Sequence, residues 1–124
     1  MGNILLVEDD PDIRYLVCYK LLHAGLAVQA VTDGPAALDH ARRNRPDLVI
    51  LDVLMPRMSG LEVCRELRAT PGTAGVPIIM LTARARSQDL EQAYAAGATD
   101  YVVKPFSPRE LLHRVETMLA RVAG

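Results

Sequence analysis

The chain has 124 residues, half of them hydrophobic, which suits one domain with a real core. Its charges nearly cancel at −1, without the basic or acidic block that binds nucleic acid, a polyanion or a membrane surface, so function is expected in a local site. No apolar run approaches the ~18 residues of a membrane span and no signal peptide opens the chain, which predicts a cytoplasmic protein with Cys18 and Cys64 as reduced, buried thiols.

Short apolar runs alternate with segments of helical period along the whole chain. Ile4–Val7 reads as the first strand. The stretch from Asp12 to Ala24 is the first helix, with Ile13, Leu16, Val17 and Leu21 on one face, Asp10 as N-cap, Pro11 at the first helical position and Gly25 at the stop. Ala27–Val31 is the second strand, and the helix after Asp33-Gly34-Pro35 ends near Asn44-Arg45-Pro46-Asp47. Leu48–Leu51 is the third, with a helix that opens at Ser59-Gly60 and closes in the stretch Thr70–Gly75. Val76–Leu81 is the fourth. The helix that follows it, about Ser87 to Ala96, has only Leu90, Ala93 and Tyr94 as apolar anchors, which predicts loose packing. Tyr101–Val103 is the fifth strand. The last helix starts at Ser107-Pro108, carries Glu110 in its first turn, and lines up Leu111, Leu112, Val115, Met118, Leu119 and Val122 as one apolar stripe.

The strand runs are rich in Val, Ile and Leu without polar alternation, the pattern of strands buried on both faces of a parallel sheet. Strand then helix, five times over, is a doubly wound α/β sandwich. His23, His40 and His113 stand singly in helical segments and are expected at the surface. With no repeat or linker, one domain spanning residues 1–124 is expected.

Ligands of such sheets bind beyond the carboxyl ends of the strands, where the strand order reverses. With the order 2-1-3-4-5, the first and third strands flank that point. They run out into Glu8-Asp9-Asp10 and into Asp52, while the fourth ends at Thr82 and the fifth at Lys104. Clustered carboxylates raise one another's pKa and call for a compensating cation, and an oxygen-only set suits Mg²⁺ with phosphate completing its shell. Asp52 can then serve as a nucleophile toward phosphorus, with Lys104 stabilising charge on the transferring group. Taken singly, acids before a helix are ordinary dipole partners and a strand-end lysine is ordinarily solvated. Their convergence on one sheet edge is what carries the chemistry.

The segments "ILLVEDDPDIR", "DLVILDVLMPRMSG", "PIIMLTARA" and "DYVVKPF", in this order and spacing, resemble the receiver domain of bacterial two-component response regulators. The resemblance covers the whole chain and implies a flavodoxin-like (βα)5 fold and a phosphorylation-dependent signalling switch. It implies that a sensor histidine kinase or phosphotransfer protein donates to Asp52, and that catalysis is limited to this transfer and to hydrolysis of the product. By the same likeness Glu8 and Asp9 are the acidic pair serving Mg²⁺, with Asp52 and the backbone carbonyl of Leu54 as further ligands, and Asp10 keeps its capping role. Thr82 would be the switch hydroxyl, Lys104 its salt-bridging companion at the phosphoryl group, Tyr101 the aromatic whose rotamer follows, and Lys104–Pro105 a cis bond. Leu54 and Arg84, two residues beyond the acceptor and the switch threonine, would set the lifetime of the aspartyl phosphate. The surface around the fourth helix, fifth strand and fifth helix would carry the output, with at best a weak homodimer. There Asp100, Glu110 and Arg114 hold the charged positions and Leu90 stands where a basic partner is usual. No direct nucleic-acid contact and no membrane contact are implied. The chain stops as the fifth helix ends, so a stand-alone or excised receiver is expected.

Competing readings fit less well. A phosphatase of the haloacid-dehalogenase type needs a D-x-D nucleophile motif, which Asp10-Pro11-Asp12 spells, but Pro11 puts it into a helix start. An FMN binder needs a glycine- and hydroxyl-rich loop where this chain has three acids. A pseudo-receiver lacks the acceptor, an acid or the lysine, and all are retained here.

Overall fold

A computed structural model describes residues 2–84 and 86–123. Five strands, β1 (Asn3–Val7), β2 (Ala27–Val31), β3 (Leu48–Asp52), β4 (Ile78–Thr82) and β5 (Asp100–Val103), form one parallel sheet in the order β2-β1-β3-β4-β5. Five helices connect and follow them: α1 (Pro11–His23), α2 (Gly34–Arg43), α3 (Gly60–Ala69), α4 (Ser87–Ala96) and α5 (Pro108–Ala123). The fold is the doubly wound, flavodoxin-like one.

Alternate residues of the central strands feed two cores. Leu5, Val7, Val49, Leu51 and Met80 point to the side of α2, α3 and α4, whereas Ile4, Leu6, Leu48, Ile50, Ile79 and Leu81 point to α1 and α5. Each such side chain contributes roughly 1.5–3 kcal/mol when fully buried. The rule of burial on both faces holds for β1, β3 and β4 and fails at the edges. In β2, Ala27 and Gln29 are exposed, and in β5 only Val102 is buried. An edge strand lacks a neighbour on one side and is only partly roofed by helices, so a short apolar run there marks the strand without guaranteeing its burial.

The N-caps follow the sequence. Asp10 accepts from the amides of Asp12 and Ile13, Asp33 from Ala36, and Ser59 forms a reciprocal capping box with Glu62. Three expectations change. Leu16 is 44% exposed, because it lies about 100° round the helix from its neighbour Val17, the centre of the buried ladder Ile13-Val17-Leu21, and it joins Tyr15, Tyr19 and Leu22 on the solvent side. Val76 and Pro77 are buried but precede β4: the Val76 N–H donates to Thr73 O in a turn, so the pairing run starts at Ile78. Tyr94 is 46% exposed and does not anchor α4 inward; it meets Tyr101 edge to face at 5.7 Å, leaving Ala93 and Ala96 as the buried residues of that helix.

Cys64 is buried as expected, Cys18 only partly, and both are free. In α5, Leu111, Val115 and Met118 are buried while Leu112 and Leu119 pack at the edge of the same core; the side chain of Val122 lies outside the described residues. His23 and His113 are exposed and His40 partly so. No helix among the described residues is long and apolar enough to cross a membrane.

Candidate functional site

β1 and β3 pair Val7 with Leu51, so the next residue on each, Glu8 and Asp52, sit side by side where the two strands leave the sheet. Both are buried, as is Thr82 at the end of β4. Asp9 is exposed at the mouth. Oxygen atoms of Glu8, Asp9 and Asp52 all lie within 4.8 Å of one another. Opposed ligand oxygens on a Mg²⁺ stand about 4.2 Å apart, so only a small closure separates this set from a ligand shell.

Lys104 reaches this cluster from the end of β5. Its Nζ lies 3.1 Å from Glu8 Oε1 and 3.3 Å from Asp52 Oδ2. Its own N–H donates to Thr82 O at 2.7 Å, and the bond to Pro105 that follows is cis. The second oxygen of Asp52 accepts from the Leu54 N–H at 3.2 Å, and Glu8 Oε2 accepts from the Asp10 N–H at 3.1 Å. Glu8 Oε1 has no hydrogen-bond partner of good geometry, so its contact with Lys104 is one of charge. Burial pushes the Glu8 carboxyl up to about 7, with Asp52 adding to the rise and the Asp10 amide and Lys104 opposing it. For Lys104 burial acts to lower the pKa, but the charges of Asp52 and Glu8 outweigh it and raise the group, which keeps the ammonium charged. A buried, under-coordinated carboxylate oxygen beside two further acids is a donor set that a hard divalent cation fits.

The other half of the rim is arranged differently. The Thr82 hydroxyl donates to Arg84 O at 3.1 Å and accepts from the Arg84 N–H at 3.0 Å, so it is turned into its own loop. Leu54 and Arg84, both exposed, line a cavity of about 120 Å³ together with Thr82, Leu90 and Ala93. Tyr101 is half-buried against the α2–α4 core. Thus Glu8, Asp9, Asp52 and Lys104 form one cluster, Leu54, Thr82 and Arg84 line the cavity, Asp10 caps α1, and Tyr101 lies back from the strand end inside β5.

Two contributors escaped sequence reasoning. Gly60 opens α3 so close to the end of β3 that a Cβ there would meet Asp52 O at 2.2 Å, although only its helix-start role is legible from "MSG". Arg14 donates to the carbonyls of Glu8 and Asp9, and its helical position carries no hint of that. On the α4-β5-α5 face, Arg114 Nη1 lies 3.0 and 2.9 Å from the two Asp100 oxygens and Nη2 is 3.3 Å from Glu110, so these charges pair within the chain.

A family model for the response regulator receiver domain matches residues 4–116. The DNA-binding response regulator MtrA of Mycolicibacterium smegmatis is 45% identical over 119 residues, 96% of this chain and 51% of that protein. The chain spans about half the length of the curated relatives it matches. Among solved structures, the chemotaxis protein CheY4 of Vibrio cholerae superposes with a TM-score of 0.91 at 36% identity, covering 95% of this chain and 98% of that one. The receiver domain of the sensor histidine kinase PA1611 from Pseudomonas aeruginosa, with magnesium coordinated in its active-site cleft, gives 0.89 at 37% identity, covering 97% and 99%.

Proposed function

The chain belongs to the response regulator receiver domains, phosphorylation-dependent signalling switches, and from that premise we propose that Asp52 is its phospho-acceptor, that Glu8 and Asp9 serve Mg²⁺, and that residues 1–124 act as one receiver unit. The observation that carries this reading is the Lys104 ammonium set between Glu8 and Asp52 above a cluster of three carboxylates. A histidine kinase or phosphotransfer protein presents a phosphohistidine; an Asp52 oxygen attacks phosphorus, the P–N bond breaks, and the imidazole leaves with the bonding pair. Bound Mg²⁺ would neutralise charge on the phosphoryl oxygens, with Glu8, Asp9, Asp52 and the Leu54 carbonyl as its holders. The magnesium in the PA1611 receiver supports this choice of ion.

Lys104 then exchanges its contact with the Asp52 carboxylate for one with a phosphoryl oxygen. Thr82 can reach the same group only by giving up its bonds to Arg84, which couples phosphorylation to the β4–α4 loop. Tyr101 and the α4-β5-α5 surface respond in turn. Leu54 offers a hydrolytic water no hydrogen bond, and Arg84 can lie over the phosphoryl group, so the phosphorylated form is long-lived. The activity is confined to this self-transfer and its reversal by water. Nucleic acid stays off this near-neutral segment, and any homodimer through α4, β5 and α5 is weak, because Arg114 must first give up Asp100 and Glu110.

Incubation with acetyl phosphate followed by intact-mass measurement tests the reading. Uptake is expected with Mg²⁺ in the unmodified chain and in Asp10→Asn, and loss of phosphate should speed up when Leu54→Asn is combined with Arg84→Glu. Uptake that persisted in Asp52→Asn, or that needed no divalent metal, would sink the reading.

A further inference from the structure

The backbone of the acidic pair is held by a residue that the chemistry above leaves without a task. Arg14, in the first turns of α1, folds its side chain back over the helix start. Its Nη1 donates to Glu8 O at 3.1 Å and to Asp9 O at 3.3 Å, and its own N–H donates to Asp10 O at 2.9 Å. One residue therefore ties three successive carbonyls of the β1–α1 loop. Peptide units held in this way also limit where the attached side chains can point, and here the Glu8 and Asp9 carboxylates converge on Asp52 while that of Asp10 caps α1. A guanidinium suits the task, being planar, permanently charged and rich in donors held in fixed geometry.

We propose that Arg14 is a positioning residue for the divalent cation: by fixing the Glu8–Asp9 backbone it preorganises the acidic pair and raises the affinity for Mg²⁺. This deepens the reading of the site given above and rests on it. Two effects of opposite sign compete at this position. The positive charge of Arg14 opposes a cation, whereas its hydrogen bonds remove the ordering that a flexible pair would need before binding one. The charge effect is small, because Arg14 is only half-buried, where solvent and salt screen its charge. Groups that orient metal ligands typically change affinity about tenfold or more, so positioning wins.

The test is a titration of the intact chain with Mg²⁺ alone, followed through the amide resonances of residues 8–10 and 52–54, with hydrogen exchange of the metal-free protein beside it. Arg14→Ala should weaken Mg²⁺ binding about tenfold. Without metal it should also speed exchange at the Asp9 and Asp10 amides while Val17 and Leu21 in the same helix stay protected. Arg14→Lys, which keeps the charge and a donor, should fall between the two. An affinity for Mg²⁺ that is unchanged or tighter in Arg14→Ala, or exchange at Asp9 and Asp10 that does not move, overturns the proposal. Loss of protection along all of α1 likewise overturns it, by making Arg14 a residue of the helix rather than of the site. An unmodified chain that did not bind Mg²⁺ would instead sink the reading of the site, and the metal-free exchange would still judge the hold of Arg14 on the loop.

Discussion

The two halves of the site rim are built to opposite specifications. On the acid side, Glu8 and Asp52 leave strands buried on both faces, Gly60 is wedged against the Asp52 carbonyl, and α3 starts in a capping box with Val63, Cys64 and Leu67 buried behind it. On the opposite side, α4 starts at Arg86 with no side-chain cap and buries only Ala93 and Ala96. Preorganisation is placed on the first side and freedom to move on the second. Groups that must hold charge in fixed geometry sit on rigid elements, and the element that must respond is drawn from the weakly packed end of the stability range.

The largest effect expected from this contrast is electrostatic and belongs to the acid side. Folded Glu8 keeps its proton up to about pH 7, whereas in the unfolded chain it titrates at the ordinary value of 4.5. The folded form binds more protons between these values, so stability without metal is greatest below the window and falls as pH rises through it, by roughly 3 kcal/mol across the whole of it. Urea unfolding at a series of pH values should show this slope, and both Glu8→Gln and saturating Mg²⁺ should flatten it. A flat curve for the unmodified, metal-free chain would mean that Lys104 compensates Glu8 in full and that the acid side is not under strain of charge.

Next in size is Gly60→Ala. The added methyl would stand 2.2 Å from Asp52 O and 2.8 Å from Val53 Cα, backbone atoms that cannot swing away. Overpacking of this kind costs about 2 kcal/mol. Because the displaced atom belongs to Asp52, the proposed acceptor, uptake from acetyl phosphate should slow by about tenfold or more. An exposed α4 substitution such as Gln88→Ala should change stability by no more than about 0.5 kcal/mol. If the two variants unfolded alike in urea, the supposed rigidity of the α3 side would be wrong.

The smallest pair of effects sharpens the contrast at the two helix starts. Ser59→Ala removes the capping box of α3 and should cost about 1 kcal/mol. Arg86→Ser supplies a cap that α4 lacks, at the loss of an exposed pair with Asp89, and should stabilise by about 0.5 kcal/mol while slowing amide exchange in the first turn of that helix. Equal losses in both variants would show that α4 is already satisfied at its start by some other means.

How far the sequence reaches depends on the range of the interaction. Caps, stops and strand cores rest on neighbours a few residues apart, which is why Asp10, Pro11, Asp33 and Ser59 were legible, as was the weakness of α4. The direction of Leu16 and Tyr94 was not, since apolar residues on both sides of a helix leave its facing undecided until its neighbours are in place. The exposure of β2 had the same origin: the expected strand order puts "AVQAV" at an edge, but how far helices roof that edge depends on their packing.

The alternation of strands and helices is legible in the residues alone, and with it the edge of the sheet where Glu8, Asp9, Asp52, Thr82 and Lys104 must emerge, because parallel strands joined by helical crossovers all end on one side. How those groups meet is set by the assembled fold. The burial of Glu8 and its unsatisfied oxygen, the seat of Lys104 between two acids, the turning of the Thr82 hydroxyl into its own loop, and the pairing of Arg114 inside the chain all depend on distances of a few tenths of an ångström. Several of these join residues far apart in the chain, and electrostatic interactions in a buried site vary steeply with such distances, whereas periodicity and propensity carry no measure of them.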